Sequence, residues 1–256
     1  MTAITDKIAL VTGASAGIGY ACAKIFAREG ARLVLAARRA DRLKRLAENL
    51  KKKHGIDSYV IQMDVRNQAE VEAKITGLPA RWQKIDILVN NAGLSRGLSK
   101  IHEAELLDWE EMIDTNVKGL LYVSRAVIPG MVKRNKGHVV NIGSIAGHEV
   151  YPGGNVYCAT KHAVDALTKG MQIDLVNTPI RVSTVDPGMV ETEFSKVRFR
   201  GDKDRAKTVY KGLKPLTAED IAEAILFCVT RPPHVNIHQV SIMPTAQATA
   251  TIVYRF

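Results

Sequence analysis

Tyr157 and Lys161 stand four residues apart in the stretch NVYCATKHAVDAL, residues 155–167. In a helix, residues at this spacing lie on the same face and within reach of each other. The pair has two interpretations. One is an ordinary surface hydrogen bond, and the other is a phenol whose pKa is lowered by a neighbouring cation, so that it exchanges a proton near neutral pH. The spacing alone is common by chance, so the rest of the chain has to decide between them.

The chain has 256 residues, of which 46% are hydrophobic. This length and composition predict a single α/β domain over residues 1–256 with a buried core. No apolar run approaches the ~18 residues of a membrane span, and residues 1–15 lack a basic segment and a cleavage site, so we expect neither membrane insertion nor a secretory signal. The three cysteines lack metal-ligand spacing; we expect no metal site and a cytoplasmic protein with reduced thiols (Cys22, Cys158 and Cys228).

The formal net charge is +10. The main basic concentration, residues 38–53, alternates with leucines at helical spacing, which is typical of a solvated helix face. The sequence shows no zinc-finger spacing, no interleaving of basic and aromatic residues and no basic tail. We therefore expect no nucleic-acid partner.

Strand-like and helix-like patterns alternate along the chain. Short apolar strands separated by helices predict a parallel sheet that is covered by helices on both faces. We expect the long fourth helix to be interrupted or kinked near Pro129–Gly130, and the basic stretch that ends near residue 214 to be irregular. The predicted strands are residues 8–13, 31–38, 58–65, 85–93, 137–144, 180–188 and 237–244, and the predicted helices are 17–30, 41–55, 68–78, 109–134, 155–177 and 217–230.

A glycine-rich turn, TGASAGIG at residues 12–19, connects the first strand to the first helix. Glycines permit a tight turn and a close approach of the backbone to a pyrophosphate, and the helix N-terminus offers free N–H groups. The alternative is an ordinary βα turn. We predict that it binds the phosphates of a dinucleotide through Gly13, Ser15, Ala16, Gly17, Ile18 and Gly19.

The second strand ends at Arg38 and Arg39. A dinucleotide fold often places an acidic residue here, which bonds the adenosine ribose 2′-hydroxyl. A carboxylate would repel a 2′-phosphate, whereas arginine pairs with one through charge-assisted hydrogen bonds. The sequence therefore predicts NADP(H) rather than NAD(H); the alternative is that both arginines point into water.

The ends of the later strands supply the other predicted cofactor contacts, because ligands of such sheets bind where the strands end. Asp64 is a candidate acceptor for the adenine amino group, and Thr192 a candidate contact for the nicotinamide carboxamide. The predicted contacts are Asp64 and Val65 after the third strand, Asn91, Ala92 and Gly93 after the fourth, and Pro187, Gly188, Val190 and Thr192 after the sixth.

Taken together, these motifs resemble the short-chain dehydrogenases/reductases in order and spacing, from about residue 6 to residue 244. The resemblance rests on TGASAGIG, NNAG at 90–93, Asn116 in DTNVKG, Ser144, the Tyr157–Lys161 pair and PGMVET at 187–192. It implies a Rossmann-type three-layer αβα sandwich with a seven-stranded parallel sheet in the order 3-2-1-4-5-6-7. It also implies a homotetramer or homodimer.

The resemblance also implies catalytic roles. Tyr157 would be the general acid in carbonyl reduction and the base in alcohol oxidation, with its pKa lowered by Lys161 and by the oxidised nicotinamide. Lys161 and Tyr157 would both contact the cofactor, and Lys161 would bond the nicotinamide ribose. Ser144 would bond the substrate oxygen. Asn116 would hold a water that links Lys161 to solvent.

Three segments are similar to the branch of NADP-dependent 3-hydroxy acid dehydrogenases: residues 153–161, 181–202 and 242–247. This resemblance implies oxidation of serine, allo-threonine or 3-hydroxyisobutyrate, or reduction of malonic semialdehyde. A small anionic substrate needs a cation, and Arg198 is our candidate, on a lid at about 190–214. His148, Glu149 and Asn155 are further candidates for the pocket wall.

Other functions remain open at the level of sequence. A broad-specificity carbonyl reductase and a 3-oxoacyl-carrier-protein reductase share the same motifs. A non-catalytic NADP-binding regulator is disfavoured, because the set Asn116, Ser144, Tyr157 and Lys161 is complete.

Overall fold

The computed structural model describes residues 4–256, so the part of the domain and signal-sequence predictions that concerns residues 1–3 lies outside the described residues. Seven parallel strands form one sheet in the order β3-β2-β1-β4-β5-β6-β7, as predicted. The strands are β1 (Ile8–Thr12), β2 (Arg32–Ala37), β3 (Ser58–Gln62), β4 (Ile85–Asn90), β5 (His138–Ile142), β6 (Arg181–Pro187) and β7 (Gln239–Ile242).

Helices connect the strands and cover both faces of the sheet. The helices are α1 (Gly17–Arg28), α2 (Ala40–His54), α3 (Gln68–Thr76), α4 (Leu106–Ile113), α5 (Gly119–Lys133), α6 (Asn155–Asp174), α7 (Phe194–Arg198), α8 (Lys203–Thr208) and α9 (Ala218–Thr230). None of the helices within residues 4–256 is both long and apolar enough to cross a membrane.

The strand β1 shows how the sequence produces three layers. All five of its residues are buried, and successive side chains of a strand point to opposite faces. Ala9 and Val11 join the core beneath α1, α2 and α9, which includes Phe26. Leu10 joins the opposite core beneath α3 and α5, which includes Val127. Burial on both faces explains why the strands are continuous apolar runs.

Two irregular regions differ from the expectations. The helix predicted at 109–134 is not interrupted at Pro129, since α5 continues through it to Lys133. Its departure from α geometry lies earlier, in a π-helical turn at Asp114–Lys118. The basic stretch before residue 214 is not wholly irregular, because it contains α7 and α8.

Candidate active site

A cavity of about 710 Å³ opens along the carboxyl ends of the strands. It contains most of the predicted site residues, which come from every strand end from β1 to β6. Its lining includes Gly13, Ser15, Ala16, Gly17, Ile18, Arg38, Arg39, Asp64, Val65, Asn91, Ala92, Gly93, Ser144, Tyr157, Lys161, Pro187, Gly188, Val190, Thr192 and Arg198.

The glycine-rich turn has the geometry expected of a phosphate-binding loop. Gly13 and Gly17 have φ values of 66° and 54°, which favour glycine. Gly19 differs from the prediction, because it does not line the cavity. A Cβ on Gly19 would lie 2.5 Å from Nδ2 of Asn91 and 2.7 Å from the carbonyl oxygen of Gly13. We infer that Gly19 serves the close packing of α1 against the turn.

The two arginines after β2 have different surroundings. Arg39 donates from Nε to Ser15 Oγ at 3.1 Å and forms an ion pair with Glu193 at 2.9 Å. Arg38 is exposed at the cavity edge. Asp64, the predicted adenine contact, is bound by Arg66 at 2.6 Å, and the hydrogen bonds from Arg66 hold the pKa of Asp64 below its ordinary value against the effect of burial.

Tyr157 and Lys161 lie on α6, and both are buried, at 8% and 7% exposure. The ammonium of Lys161 lies 6.0 Å from the centre of the Tyr157 ring and donates to the carbonyl oxygen of Ile142 at 2.8 Å. The pair therefore faces the cavity, not bulk solvent, which excludes the interpretation as a surface hydrogen bond.

Burial has the largest effect on the pKa values of both Tyr157 and Lys161. Burial raises the pKa of Tyr157 above its ordinary value. The groups of the chain that oppose this shift are Arg198, through its charge, and Ser144, through a hydrogen bond. Burial also lowers the pKa of Lys161 to about 8, against the attraction of Asp186. Arg198 is thus a second cation beside the phenol, in addition to Lys161.

Asn116 lies in the π-helical turn, 2% exposed and outside the cavity lining. Its Nδ2 donates to Leu94 O at 2.8 Å and to Thr160 Oγ1 at 3.0 Å, and its Oδ1 accepts from Leu94 N at 2.8 Å. Both amide hydrogens are thus used within the chain. Asn116 is therefore left with one free acceptor for the predicted water, the second lone pair of Oδ1.

Ser144 follows β5 at the cavity wall. Its Oγ accepts from Ala146 N at 3.1 Å and lies 3.4 Å from the carbonyl oxygen of Pro187. Gly143, immediately before it, is tightly packed, because a Cβ there would lie 1.9 Å from Oδ1 of Asp186. Together these contacts fix the serine at the junction of β5 and β6.

Arg198 reaches the cavity from α7. Its guanidinium carbon lies 5.3 Å from the ring centres of Tyr157 and Phe194 and 5.9 Å from that of Tyr151. It donates to the hydroxyl of Tyr151 at 2.8 Å, whereas its buried Nε has no hydrogen-bond partner. A buried donor without a partner is costly, so Arg198 keeps unused hydrogen-bonding capacity at the wall of the cavity.

Sequence reasoning missed several residues of the site. Tyr151 lines the cavity and holds Arg198, and Glu193 with Arg42 completes the cluster at Arg39. These contacts join distant parts of the chain, so no local pattern in the sequence predicts them. Of the residues that we suggested for the pocket wall, none belongs to its lining; His148 binds Asp186, Glu149 accepts from Ala250 N and Asn155 donates to Ser99 O.

The chemistry of the site matches the predicted dinucleotide. The glycine turn suits phosphates, the arginines at the end of β2 suit a 2′-phosphate, and a buried phenol and ammonium face the same cavity. Within residues 4–256, no group of three or more His, Cys, Asp or Glu side chains is placed to hold a metal ion.

The sequence model of the short chain dehydrogenase family matches residues 7–203. The chain belongs to this family, as its motifs predicted. It is 48% identical over 244 residues to the NADP-dependent 3-hydroxy acid dehydrogenase YdfG of Escherichia coli K12, covering 95% of this chain and 97% of the relative. It is also 43% identical over 256 residues to the NADP-dependent 3-hydroxy acid dehydrogenase of Schizosaccharomyces pombe, covering 100% and 99% of the two chains.

Solved structures agree with the fold. The closed form of a serine dehydrogenase complexed with NADP+ superimposes with a TM-score of 0.91 at 47% identity, covering 97% of this chain and 100% of the other. The serine dehydrogenase of Escherichia coli gives a TM-score of 0.82 at 44% identity, covering 94% and 99%. The predicted seven-stranded Rossmann-type architecture is confirmed.

Proposed function

We propose that this chain oxidises the β-hydroxyl group of small 3-hydroxy acids, such as serine, allo-threonine and 3-hydroxyisobutyrate, and reduces semialdehydes such as malonic semialdehyde in the reverse direction. The chain is an oxidoreductase that acts on CH–OH groups with NADP(H), as the family and its NADP-dependent relatives confirm. The identity of the substrate is the proposed part.

The observation that carries the proposal is the position of Arg198 beside Tyr157. A 3-hydroxy acid bears its carboxylate two carbons from the carbon that carries the hydroxyl. Arg198 lines the cavity beside aromatic rings and is only partly exposed, so its guanidinium is a donor for that carboxylate. A substrate held there by its acid group would place its hydroxyl near Tyr157 and Ser144.

The residues of the chain then divide the proton chemistry. A nicotinamide held in the cavity would supply the hydride chemistry at the carbon that carries the hydroxyl group. Tyr157 takes the hydroxyl proton in oxidation and gives it back in reduction, while Ser144 donates a hydrogen bond to the substrate oxygen. Lys161 binds the cofactor ribose and keeps positive charge near the phenol.

The proposed lid is the segment 190–214, within one catalytic domain. The helix α7 in this segment is held at both ends. Glu193 binds two arginines at its start, and Arg96 donates to the carbonyl oxygen of Val197 near its end. Because Arg198 ends α7, opening of this segment would withdraw the carboxylate partner from the cavity.

We further propose that the protein forms homodimers or homotetramers and works in the cytoplasm. Large apolar side chains are exposed on α4 and next to the end of α6, with Leu107 at 73% and Val176 at 81% exposure, and exposed apolar patches mark association surfaces. The three free, buried cysteines suit a reducing compartment. Light scattering of the purified protein measures the assembly; a monomer at micromolar concentration would contradict it.

A matched set of substrates tests the proposed activity. NADPH formation is measured with L-serine, allo-threonine and 3-hydroxyisobutyrate, with the methyl ester of 3-hydroxyisobutyrate, and with simple secondary alcohols. We expect the free acids to have a higher kcat/KM than the ester by about 10- to 100-fold, which is the contribution of a hydrogen bond to a charged group. Equal rates for acid and ester would instead support a broad carbonyl reductase, and preferred reduction of 3-oxoacyl thioesters would support a carrier-protein reductase. No change in NADPH with any substrate would support a non-catalytic regulator.

A further inference from the structure

The end of helix α7 is held by the segment that follows β4. The guanidinium of Arg96 donates to the carbonyl oxygen of Val197, and the backbone N–H of Gly97 donates to the carbonyl oxygen of Arg198 at 3.0 Å. Gly97 has a φ of 55°, a conformation that favours glycine. The last carbonyl groups of a helix lack donors within the helix, and residues 96 and 97 supply donors to two of them in succession.

Arg96 is itself fixed by Glu111 on α4. Its Nε donates to Oε2 of Glu111 at 2.7 Å, and the other carboxylate oxygen lies 3.4 Å from Nη1 of Arg66. Arg66 in turn binds Asp64, which follows β3, at 2.6 Å. A continuous series of ion pairs and hydrogen bonds therefore connects the end of β3 to the end of α7.

The pair of Arg96 and Glu111 is better shielded from water than an ordinary surface ion pair. The two side chains are 14% and 19% exposed, whereas the weak ion pairs of proteins are those exposed to solvent. The hydrogen bond from Arg96 holds the pKa of Glu111 below its ordinary value against the effect of burial. The carboxylate is therefore ionised at neutral pH, and its bond to Arg96 is charge-assisted.

We propose that Arg96 and Glu111 are positioning residues, which hold the end of α7 so that the guanidinium of Arg198 stays beside Tyr157. Both lie outside the cavity lining, whereas Arg198 belongs to it. They therefore act on the reaction through Arg198, whose backbone is bound by Gly97. The inference rests on the proposed lid and on the contact of Arg198 with Tyr157, and it does not require that the substrate be a hydroxy acid.

The first test is the pH profile of kcat/KM for a neutral secondary alcohol in wild type and Glu111→Ala. Removal of the carboxylate has two possible effects of opposite sign. A direct charge effect would lower the pKa of Tyr157, because a negative charge is lost. Loss of positioning would raise this pKa, because Arg198 moves away from the phenol. We expect the acidic limb to move to higher pH by about 0.5 to 1 pH unit, which is less than the roughly 1 to 3 units that an adjacent opposite charge is able to cause.

A double variant tests whether Glu111 acts through Arg198. In the Arg198→Ala background, Glu111→Ala should cause no further move of the acidic limb to higher pH, since the cation to be positioned is absent. Every variant retains the other titratable groups that face Tyr157, which are Tyr151, Cys158 and Lys161.

The control variant for this test is Glu110→Ala. It removes the same charge from an exposed position of α4, and we expect the profile of wild type. A Glu111→Ala profile that is unchanged or moved to lower pH would overturn the proposal. An equal move to higher pH in the presence and absence of Arg198 would also overturn it.

The second test measures the attachment of α7 without turnover, by hydrogen–deuterium exchange of peptides that cover residues 94–98 and 194–202. The first peptide contains the N–H of Gly97, which is bound to the end of α7. In Arg96→Gln and in Glu111→Ala, we expect exchange in both peptides to be about 3- to 10-fold faster, as for loss of one hydrogen bond. Arg45→Gln and Glu110→Ala, at exposed positions, should exchange as wild type does.

Exchange that neither Arg96→Gln nor Glu111→Ala accelerates would show that these residues do not hold the helix. Because this test contains no substrate and the first uses a neutral alcohol, failure of the proposed 3-hydroxy acid activity would leave both results unaffected.

Discussion

The guanidinium of Arg198 lies 5.3 Å from the ring centre of Tyr157, and the two residues come from different elements, α7 and α6. This contact joins the proposed substrate anchor to the proposed acid–base. Under the proposed function, one cation therefore serves two purposes: it offers hydrogen bonds to the acid group of the substrate, and it favours the ionised form of the phenol.

The first purpose predicts a substrate-selective effect of Arg198→Ala. Loss of hydrogen bonds to a charged group should raise KM for 3-hydroxy acids about 10- to 100-fold. KM for a neutral secondary alcohol should change little, because no carboxylate is involved. Steady-state kinetics with both substrates measure the difference, with Lys196→Ala on the same helix as the control. An unchanged KM for the acids would remove Arg198 from the binding site.

The second purpose predicts a shift of the pH profile. The charge of Arg198 lowers the pKa of Tyr157 against the effect of burial, so removal of the charge raises that pKa. Alcohol oxidation needs the phenolate as base, and its rate therefore rises as pH increases through the pKa of Tyr157. In Arg198→Ala, the acidic limb of kcat/KM for a neutral alcohol should move to higher pH. A shift to lower pH would contradict this electrostatic role.

Tyr157→Phe removes the hydroxyl and keeps the ring. We expect turnover to fall at least about 100-fold, as for loss of general acid–base catalysis, while NADPH binding survives in a fluorescence titration. Tyr122→Phe is the control, because Tyr122 packs partly buried on the sheet core rather than in the cavity. Activity retained by Tyr157→Phe would refute the catalytic assignment.

The double variant Arg38→Ala, Arg39→Ala tests cofactor choice. Loss of charge-assisted bonds to a phosphate should raise KM for NADPH about 10- to 100-fold and leave KM for NADH nearly unchanged. Arg45→Ala is a suitable control, because Arg45 binds Asp41 on the exposed face of α2. Equal changes for the two cofactors would separate these arginines from the 2′-phosphate.

The buried ammonium of Lys161 should destabilise the folded protein by an amount that depends on pH. Burial lowers its pKa from 10.5 to about 8, so between pH 8 and 10.5 the unfolded chain holds more of this proton than the folded chain. The destabilisation is complete below pH 8 and is relieved as pH rises toward 10.5. The free energy of unfolding of Lys161→Met minus that of wild type should therefore be larger at pH 7 than at pH 10 by about 2 to 3 kcal/mol. Urea unfolding at both pH values measures this; a difference of opposite sign would show that burial does not lower this pKa.

The sheet was predictable because its signals are local. Strands buried on both faces are apolar throughout, as in β1, and the ends of helices are marked by characteristic residues. Gly55 ends α2 at φ 70°, and Thr217 begins α9 with a reciprocal bond to Asp220. The glycine-rich turn is a short continuous segment of the chain, and so is the segment from Tyr157 to Lys161. Each motif is therefore visible in the sequence, which predicted that both lie in one cavity.

The remaining parts depend on contacts that sequence spacing does not contain. The basic stretch that holds α7 shows no apolar periodicity, and the helix is held instead by Arg198 on Tyr151 and by Arg96 on Val197. Glu193 reaches Arg39 across 154 positions. Burial of both Tyr157 and Lys161 disfavours their charged forms, and this effect is not contained in their spacing.

The π-helical turn at Asp114–Lys118 fits one additional residue into the winding beside Asn116. Each residue of a regular helix advances the chain by about 100° around the helix axis. Excision of one residue here would restore regular winding but would rotate all of α5 by that angle. Val123 and Val127 would then turn away from the sheet that buries them. The number of residues in this turn is thus fixed by two requirements. One is the orientation of the Asn116 side chain, and the other is the rotation of α5 about its axis.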